Sequence, residues 1–191
     1  TTANEIHVPV GRPVRVRLRT GDVIHSFWVP ELAGKLDLIP GQENTMWFQA
    51  DSAGIYHGQC AEYCGMQHAH MGIEVVAVSM EDFELWRAGQ LAPAVEPDDR
   101  AAWLGKQVFQ SAGCAGCHTV RGTDAQGVLG PDLTHVASRR TLAAGAIPNT
   151  RGWLAGWIVS AQSLKPGAHM PDVPLDSEEL QAVLAYVENL R

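Results

Sequence analysis

Cys60-Ala61-Glu62-Tyr63-Cys64-Gly65-Met66-Gln67-His68-Ala69-His70-Met71 gathers two thiols, imidazoles and thioethers into twelve residues. Thiolate and thioether sulfur are soft donors and imidazole binds copper well, so this set points to copper ahead of zinc or iron. A blue-copper site needs one Cys, two His and a weak axial Met. Here two Cys stand four residues apart, which leaves enough thiolate to bridge a pair of coppers. The second His has to come from elsewhere in the chain. His25, in His25-Ser26-Phe27-Trp28-Val29-Pro30, is the best candidate.

Short apolar runs punctuated by Gly and Pro flank this stretch. Val14-Arg15-Val16-Arg17-Leu18-Arg19 alternates apolar and basic residues, the pattern of a strand with one buried face. Val23 to Trp28, Thr45 to Ala50, Gly54 to His57 and Ile73 to Val78 read as further strands, and together they predict an all-β sandwich. Ser79, followed by Glu81 and Asp82, reads as a helix N-terminus with Phe83 and Trp86 on one face. Residues 89–97, rich in Ala and Pro, read as a linker.

Beyond the linker the character changes. Asp99 to Ala112 reads as a helix with Trp103, Val108 and Phe109 apolar, and it runs into Cys114-Ala115-Gly116-Cys117-His118. C-x-x-C-H is the attachment motif of a c-type haem: the thiols form thioethers with the haem vinyls, and the adjacent His is placed to ligate iron. A zinc half-site would need two more Cys or His at metal spacing, and no second pair is free. A redox dithiol would not need the His. Trp153 to Ile158 reads as a helix. Asp176 reads as the cap of a last helix, with Leu180, Val183, Leu184 and Val187 at helical spacing.

The chain has 191 residues, 46% hydrophobic and 18% charged, the balance of ordinary globular protein of one or two domains. No window approaches the ~18–20 apolar residues of a membrane span, and no signal segment opens the chain. A start at Thr1 suggests a processed or trimmed product. A net charge of −7 argues against a nucleic-acid partner. The charge is uneven: residues 1–96 carry twelve acids and six bases, residues 97–191 nine acids and eight bases. An acidic surface of this kind could steer a basic donor. All four Cys fall in the two motifs, so no disulfide framework is expected.

Cys60, Glu62, Cys64, His68 and Met71, with His25 upstream, resemble the binuclear copper (CuA) centre of cytochrome c oxidase subunit II. Gly34-Lys35-Leu36-Asp37-Leu38-Ile39-Pro40-Gly41 and Gly58-Gln59 also resemble that family, and the resemblance covers roughly residues 5–80. It implies a cupredoxin-like Greek-key sandwich with the metal loops at one end. It also implies a backbone-carbonyl ligand from Glu62, whose carboxylate reaches a Mg²⁺ shared with subunit I. Residues 98–191 resemble a class I cytochrome c domain. There Gly130-Pro131-Asp132-Leu133 supplies a carbonyl to the proximal His, and Lys165-Pro166-Gly167-Ala168-His169-Met170-Pro171 is the distal loop. The resemblance gives Met170 as the sixth iron ligand, with His169 the competing donor, and Gly105, Phe109 and Tyr186 as a crossing of the first and last helices.

The expected organisation is a CuA domain over 1–88, a linker over 89–97 and an all-α cytochrome c domain over 98–191. The expected function is that of an electron-transfer subunit II of a caa-type oxidase. Electrons would come from a small soluble cytochrome or copper protein, pass through haem c to CuA, and go on to subunit I. The resemblance implies a membrane anchor N-terminal to this chain and a place in the periplasm or on the outer face of the cell membrane. The alternatives are a free-standing electron-transfer protein and a CuA-bearing part of another reductase such as nitrous oxide reductase, although eight His do not furnish that enzyme's second, His-rich copper domain. Among the remaining residues, His57 and His70 are expected beside the copper site or exposed, and His7 and His135 as ordinary polar groups. Met46, Met66 and Met80 are expected as packing residues, and the six Trp mostly as core, with Trp28 near His25.

Overall fold

The computed structural model describes residues 4–191. Two compact units emerge: Asn4–Gly89 with Ala144–Ala146, and Gln90–Ala143 with Ile147–Arg191.

The first unit is built on strands β1 (Glu5–Pro9), β2 (Val14–Leu18), β3 (His25–Trp28), β4 (Leu36–Leu38), β5 (Asn44–Phe48), β6 (Gly54–Cys60) and β7 (Gly72–Val78). One sheet has the order β1-β7-β6-β3-β4, and β2 pairs with β5 in a second. Alternation along β2 and β5 sends Leu18 and Phe48 inward, where they meet Val8, Phe27, Val75 and Ala77 of the larger sheet. One core between two sheets is the sandwich that the alternating pattern predicts. Strands β1 and β4 are not evident from that pattern, and β1 pairs in parallel with β7. Helix α1 (Met80–Leu91) follows, with the Ser79 hydroxyl accepting from the Asp82 N–H at 3.0 Å.

The second unit is helical. Its elements are α2 (Arg100–Ser111), the short α3 (Cys114–Cys117), a β8–β9 hairpin (Thr141–Leu142, Ile147–Pro148), α4 (Arg151–Val159), α5 (Ala161–Leu164) and α6 (Ser177–Asn189). Asp99 caps α2 through Ala102 N–H, and Asp176 and Glu179 form a reciprocal capping box on α6. Helices α2 and α6 cross at Gly105, where a Cβ would run into the Ala182 carbonyl; only a glycine permits this approach. Phe109 and Tyr186 stack edge-to-face beside that crossing, with ring centroids 5.5 Å apart. Burial pushes the Tyr186 phenol up to about 12.

Residues 90–96 are bonded along the second unit. The Arg121 guanidinium donates to the carbonyls of Gln90 and Leu91, and the Ala94 N–H donates to the Arg121 carbonyl. The His135 ring lies 3.0 Å from the Ala92 carbonyl, and Lys106 pairs with Glu96. His135, expected as an ordinary polar residue, is thus buried and tied to this segment.

Two expectations fail on packing. Met66 and Met80 are exposed, Met66 at 77%, because it stands on the loop between Cys64 and His68, with no core beneath it. None of the six Trp is fully buried, and Trp47, Trp103 and Trp153 are exposed. These are large rings at the rims of small units, where few sites can enclose them. Met46 does pack against the sandwich core.

Candidate copper and haem sites

Sheet register brings the sulfur-rich loop to His25. Phe27 pairs with Cys60 and Trp28 with Gln59, so the end of β6 lies against the second half of β3, two residues from His25. The Cys60 N–H donates to the Met71 carbonyl and the Ala61 N–H to the Ser26 carbonyl, which folds the loop back over the same strand ends. A single 3-10 turn at His68–His70 then lifts His68 towards Cys64.

The donors form a continuous chain of contacts. Cys60 Sγ lies 3.8 Å from His25 Nδ1, 3.8 Å from Cys64 Sγ and 3.2 Å from the Glu62 carbonyl oxygen. Cys64 Sγ lies 3.7 Å from His68 Nδ1 and 3.3 Å from Met71 Sδ. His25, Cys60 and Cys64 offer ligand atoms all within 4.8 Å of one another. All six residues singled out along the sequence therefore meet here. His57 and His70 stay exposed outside the cluster. Trp28 is half-buried on the strand that carries His25.

Asp22 was not singled out in the sequence, yet its carboxylate lies 2.9 Å from His25 Nε2, on the side of the ring away from Cys60. The Thr20 hydroxyl donates to that carboxylate at 2.6 Å and, with His25, holds it below the usual carboxylate range. A short polar turn three residues before a candidate ligand was the available signal. A carboxylate behind a ligating imidazole fixes both its tautomer and its orientation. Burial lowers the His25 imidazole, but Asp22 and Cys60 outweigh burial and raise it.

Without metal the two thiols titrate apart. Burial pushes Cys60 up, but hydrogen bonds at Glu62 and Ser26 and the two imidazoles bring it down to about 6. Burial and the charge on Cys60 push Cys64 up to about 11. One thiolate forms readily and discourages the second, so two facing thiolates need a cation between them. Two sulfurs, two imidazoles, a thioether and a carbonyl suit copper by donor type.

The haem motif is local. Helix α3 is a single turn that carries Cys114 and Cys117 on half-buried positions, with His118 as its C-cap. His118 Nδ1 lies 2.8 Å from the Pro131 carbonyl, so an Nδ1–H bonded there leaves Nε2 to face a metal. A Cβ on Gly130 would sit 2.5 Å from the His118 ring, so that residue must be glycine for the ring to stand there. On the distal loop, the Gln162 amide donates to the carbonyls of Ala168 and Met170. Met170 is half-buried and His169 exposed, which favours the thioether as the inward-facing donor. Two attachment thiols, an oriented imidazole and a thioether loop fit a c-type haem.

The family model for the periplasmic domain of cytochrome c oxidase subunit II matches residues 1–78, and that for cytochrome c matches residues 102–191. Residues 1–78 thus carry a domain of the subunit II kind and residues 102–191 one of the cytochrome c kind, joined in one chain. Cytochrome c oxidase subunit 2 of Alkalihalophilus pseudofirmus is 40% identical over all of this chain and 55% of that protein. The Bacillus subtilis subunit 2 is 30% identical over all of this chain and 56% of that protein. The chain thus spans about half the length of these curated relatives. The solved periplasmic domain of subunit II from Bradyrhizobium japonicum is 43% identical over 44% of this chain and 60% of that one, with a TM-score of 0.42. Among the described residues, no helix is long and apolar enough to cross a membrane. The matched families imply copper in the first unit and haem in the second.

Proposed function

We propose that this chain is the water-exposed, electron-relaying part of subunit II in a caa-type cytochrome c oxidase. The observation that carries the reading is the unbroken chain of contacts from His25 through Cys60 and Cys64 to His68 and Met71, in one polypeptide with an oriented C-x-x-C-H histidine. In this reading His25, Cys60, Glu62 (through its carbonyl), Cys64, His68 and Met71 hold a binuclear copper. Cys114, Cys117, His118 and Met170 hold haem c. The Glu62 carboxylate would be the group that holds a Mg²⁺ shared with subunit I. Residues 1–88 form the copper domain and 98–191 the haem domain, and 89–97 joins them while bonding along the second unit.

Bound, the two groups supply one-electron storage, and the chain makes no bonds of its own. Its residues act by holding still. Asp22 fixes the His25 ring, Pro131 fixes His118, and the sheet register fixes the spacing of Cys60 from His25, so little needs to move when charge changes. A small soluble cytochrome or copper protein delivers electrons to the haem domain. With both groups bound, electrons would pass to the copper domain and leave near His68 for subunit I, where oxygen is reduced. The complex is the oxidoreductase and proton pump. An anchor N-terminal to this chain would hold the unit at the outer face of the cell membrane. Joining both carriers in one polypeptide raises the effective concentration of donor at acceptor.

The test is metal and haem analysis with absorption and paramagnetic resonance spectra. Two coppers with a coupled mixed-valence signal and one haem that resists acid extraction are expected per chain. A single uncoupled copper, or an extractable haem, would overturn the reading.

A further inference from the structure

One side chain ties together the loop that runs from α5 to Met170. The Gln162 amide donates to the Ala168 carbonyl at 2.6 Å and to the Met170 carbonyl at 2.8 Å, and its oxygen accepts from the Gly167 N–H at 3.1 Å. Both halves of the amide are thereby used, and it can face only one way. Turned over, its oxygen would meet two carbonyls and its nitrogen an N–H. Gly167 makes the turn at φ +85°, a conformation open to glycine at no steric cost.

The platform under this amide is fixed by other bonds. Gln162 belongs to the single turn α5, where Ala161 is fully buried and Leu164 lies over Gly156 of α4. The Lys165 N–H donates to the Ala161 carbonyl at 2.9 Å, and the Lys165 ammonium donates to the Ala143 carbonyl at 2.8 Å. Past the loop, the Asp172 carboxylate accepts from the Gln162 N–H at 3.3 Å. The loop therefore leaves from and returns to the same residue. The two peptide units held by the Gln162 side chain are the one before His169 and the one after Met170. They bracket the two competing donors. Putting the His169 ring where the Met170 thioether stands means rotating the backbone between two held peptides, which breaks at least one bond to Gln162.

We propose that Gln162 is the positioning residue that selects Met170 over His169 as the sixth ligand of the haem iron. It acts through the backbone of the loop and is not itself a ligand. Imidazole and thioether both serve as axial haem ligands, and which of them binds helps to set the reduction potential. A loop free to turn between adjacent His and Met residues would leave that choice open; the clamp closes it. A partner that orients a ligand in this way governs the site as the ligand does. The proposal rests on the reading of the second unit as a c-type haem domain ligated by Met170.

The experiment uses the haem-loaded chain and reads the far-red thioether-to-iron charge-transfer band of the oxidised protein, its paramagnetic resonance and its reduction potential. Gln162→Leu keeps the bulk of the side chain and removes all three bonds. The band should lose most of its intensity, a low-spin signal of two imidazoles should take its place, and the potential should fall. Gln162→Glu keeps the acceptor for Gly167 but turns a carboxylate oxygen towards the two carbonyls; it should act in the same direction and serves as the test if Gln162→Leu does not fold. Adding His169→Ala to either variant should bring the band back, because the competing imidazole is gone. A Gln162 that only stabilised the fold would lower the melting temperature and leave the ligand pair untouched. An unchanged band and potential in the folded variants would overturn the proposal. So would a lost band that His169→Ala does not restore. If the unaltered chain itself lacks the band, Met170 is not the ligand, and the reading beneath the proposal falls with it.

Discussion

The sulfur-rich cluster of the first unit and the C-x-x-C-H segment of the second bring their donors together by opposite routes. In the first, His25 is separated from Cys60 by 35 residues, and only the pairing of β3 with β6 brings them to 3.8 Å. In the second, Cys114, Cys117 and His118 lie within five consecutive residues, and a single helical turn carries them. A site assembled by sheet register depends on every donor at once. A site made by covalent attachment can lose a ligand and keep its cofactor.

The most severe way to probe that difference is Cys60→Ser or Cys64→Ser. A hydroxyl is a hard, poor bridge for copper, so the coupled two-copper resonance should vanish completely. A variant that keeps it would show that the thiols do not bridge. Its counterpart is Met170→Ala. Here the haem should stay attached while its sixth position opens, so that the reduced protein binds carbon monoxide and the reduction potential falls. If His169→Ala gives that result and Met170→Ala does not, the neighbouring imidazole is the ligand.

Smaller changes sharpen the comparison. Asp22→Asn removes the carboxylate behind His25 without touching a donor. Copper affinity, read by chelator competition, should drop by about 10-fold or more, with the haem spectrum unchanged. Gly105→Leu forces the crossing of α2 and α6 apart. It should destabilise the haem unit by about 3 kcal/mol in denaturant melts followed at the haem band, while the copper band melts as before. Asp176→Ala, which removes the capping box of α6, should cost the same unit only about 1 kcal/mol.

What could be read along the chain tracks this division. The twelve residues from Cys60 to Met71 and the run from Cys114 to His118 are legible because their chemistry is contiguous. The alternation of β2, the extent of α2 and the caps of α1 and α6 are legible because the signals are local. Asp22 was missed because its partnership with His25 depends on how the turn before β3 folds. Strand β1 was missed because its parallel pairing with β7, some seventy residues away, leaves no trace in its own five residues. Met66 was misjudged because an apolar residue inside a metal loop has no core to enter, and sequence alone does not reveal where the core stops.

The bonds that fix residues 90–96 bear on how the gene could be divided. A shortened protein meant to yield the haem unit alone should begin at Gln90. Starting at 98 would strip the Arg121 guanidinium of the Gln90 and Leu91 carbonyls, the buried His135 ring of Ala92 and Lys106 of Glu96. The apparent spacer is, by its bonding, the first segment of the module that follows it, and recombination between such modules should favour break points upstream of it.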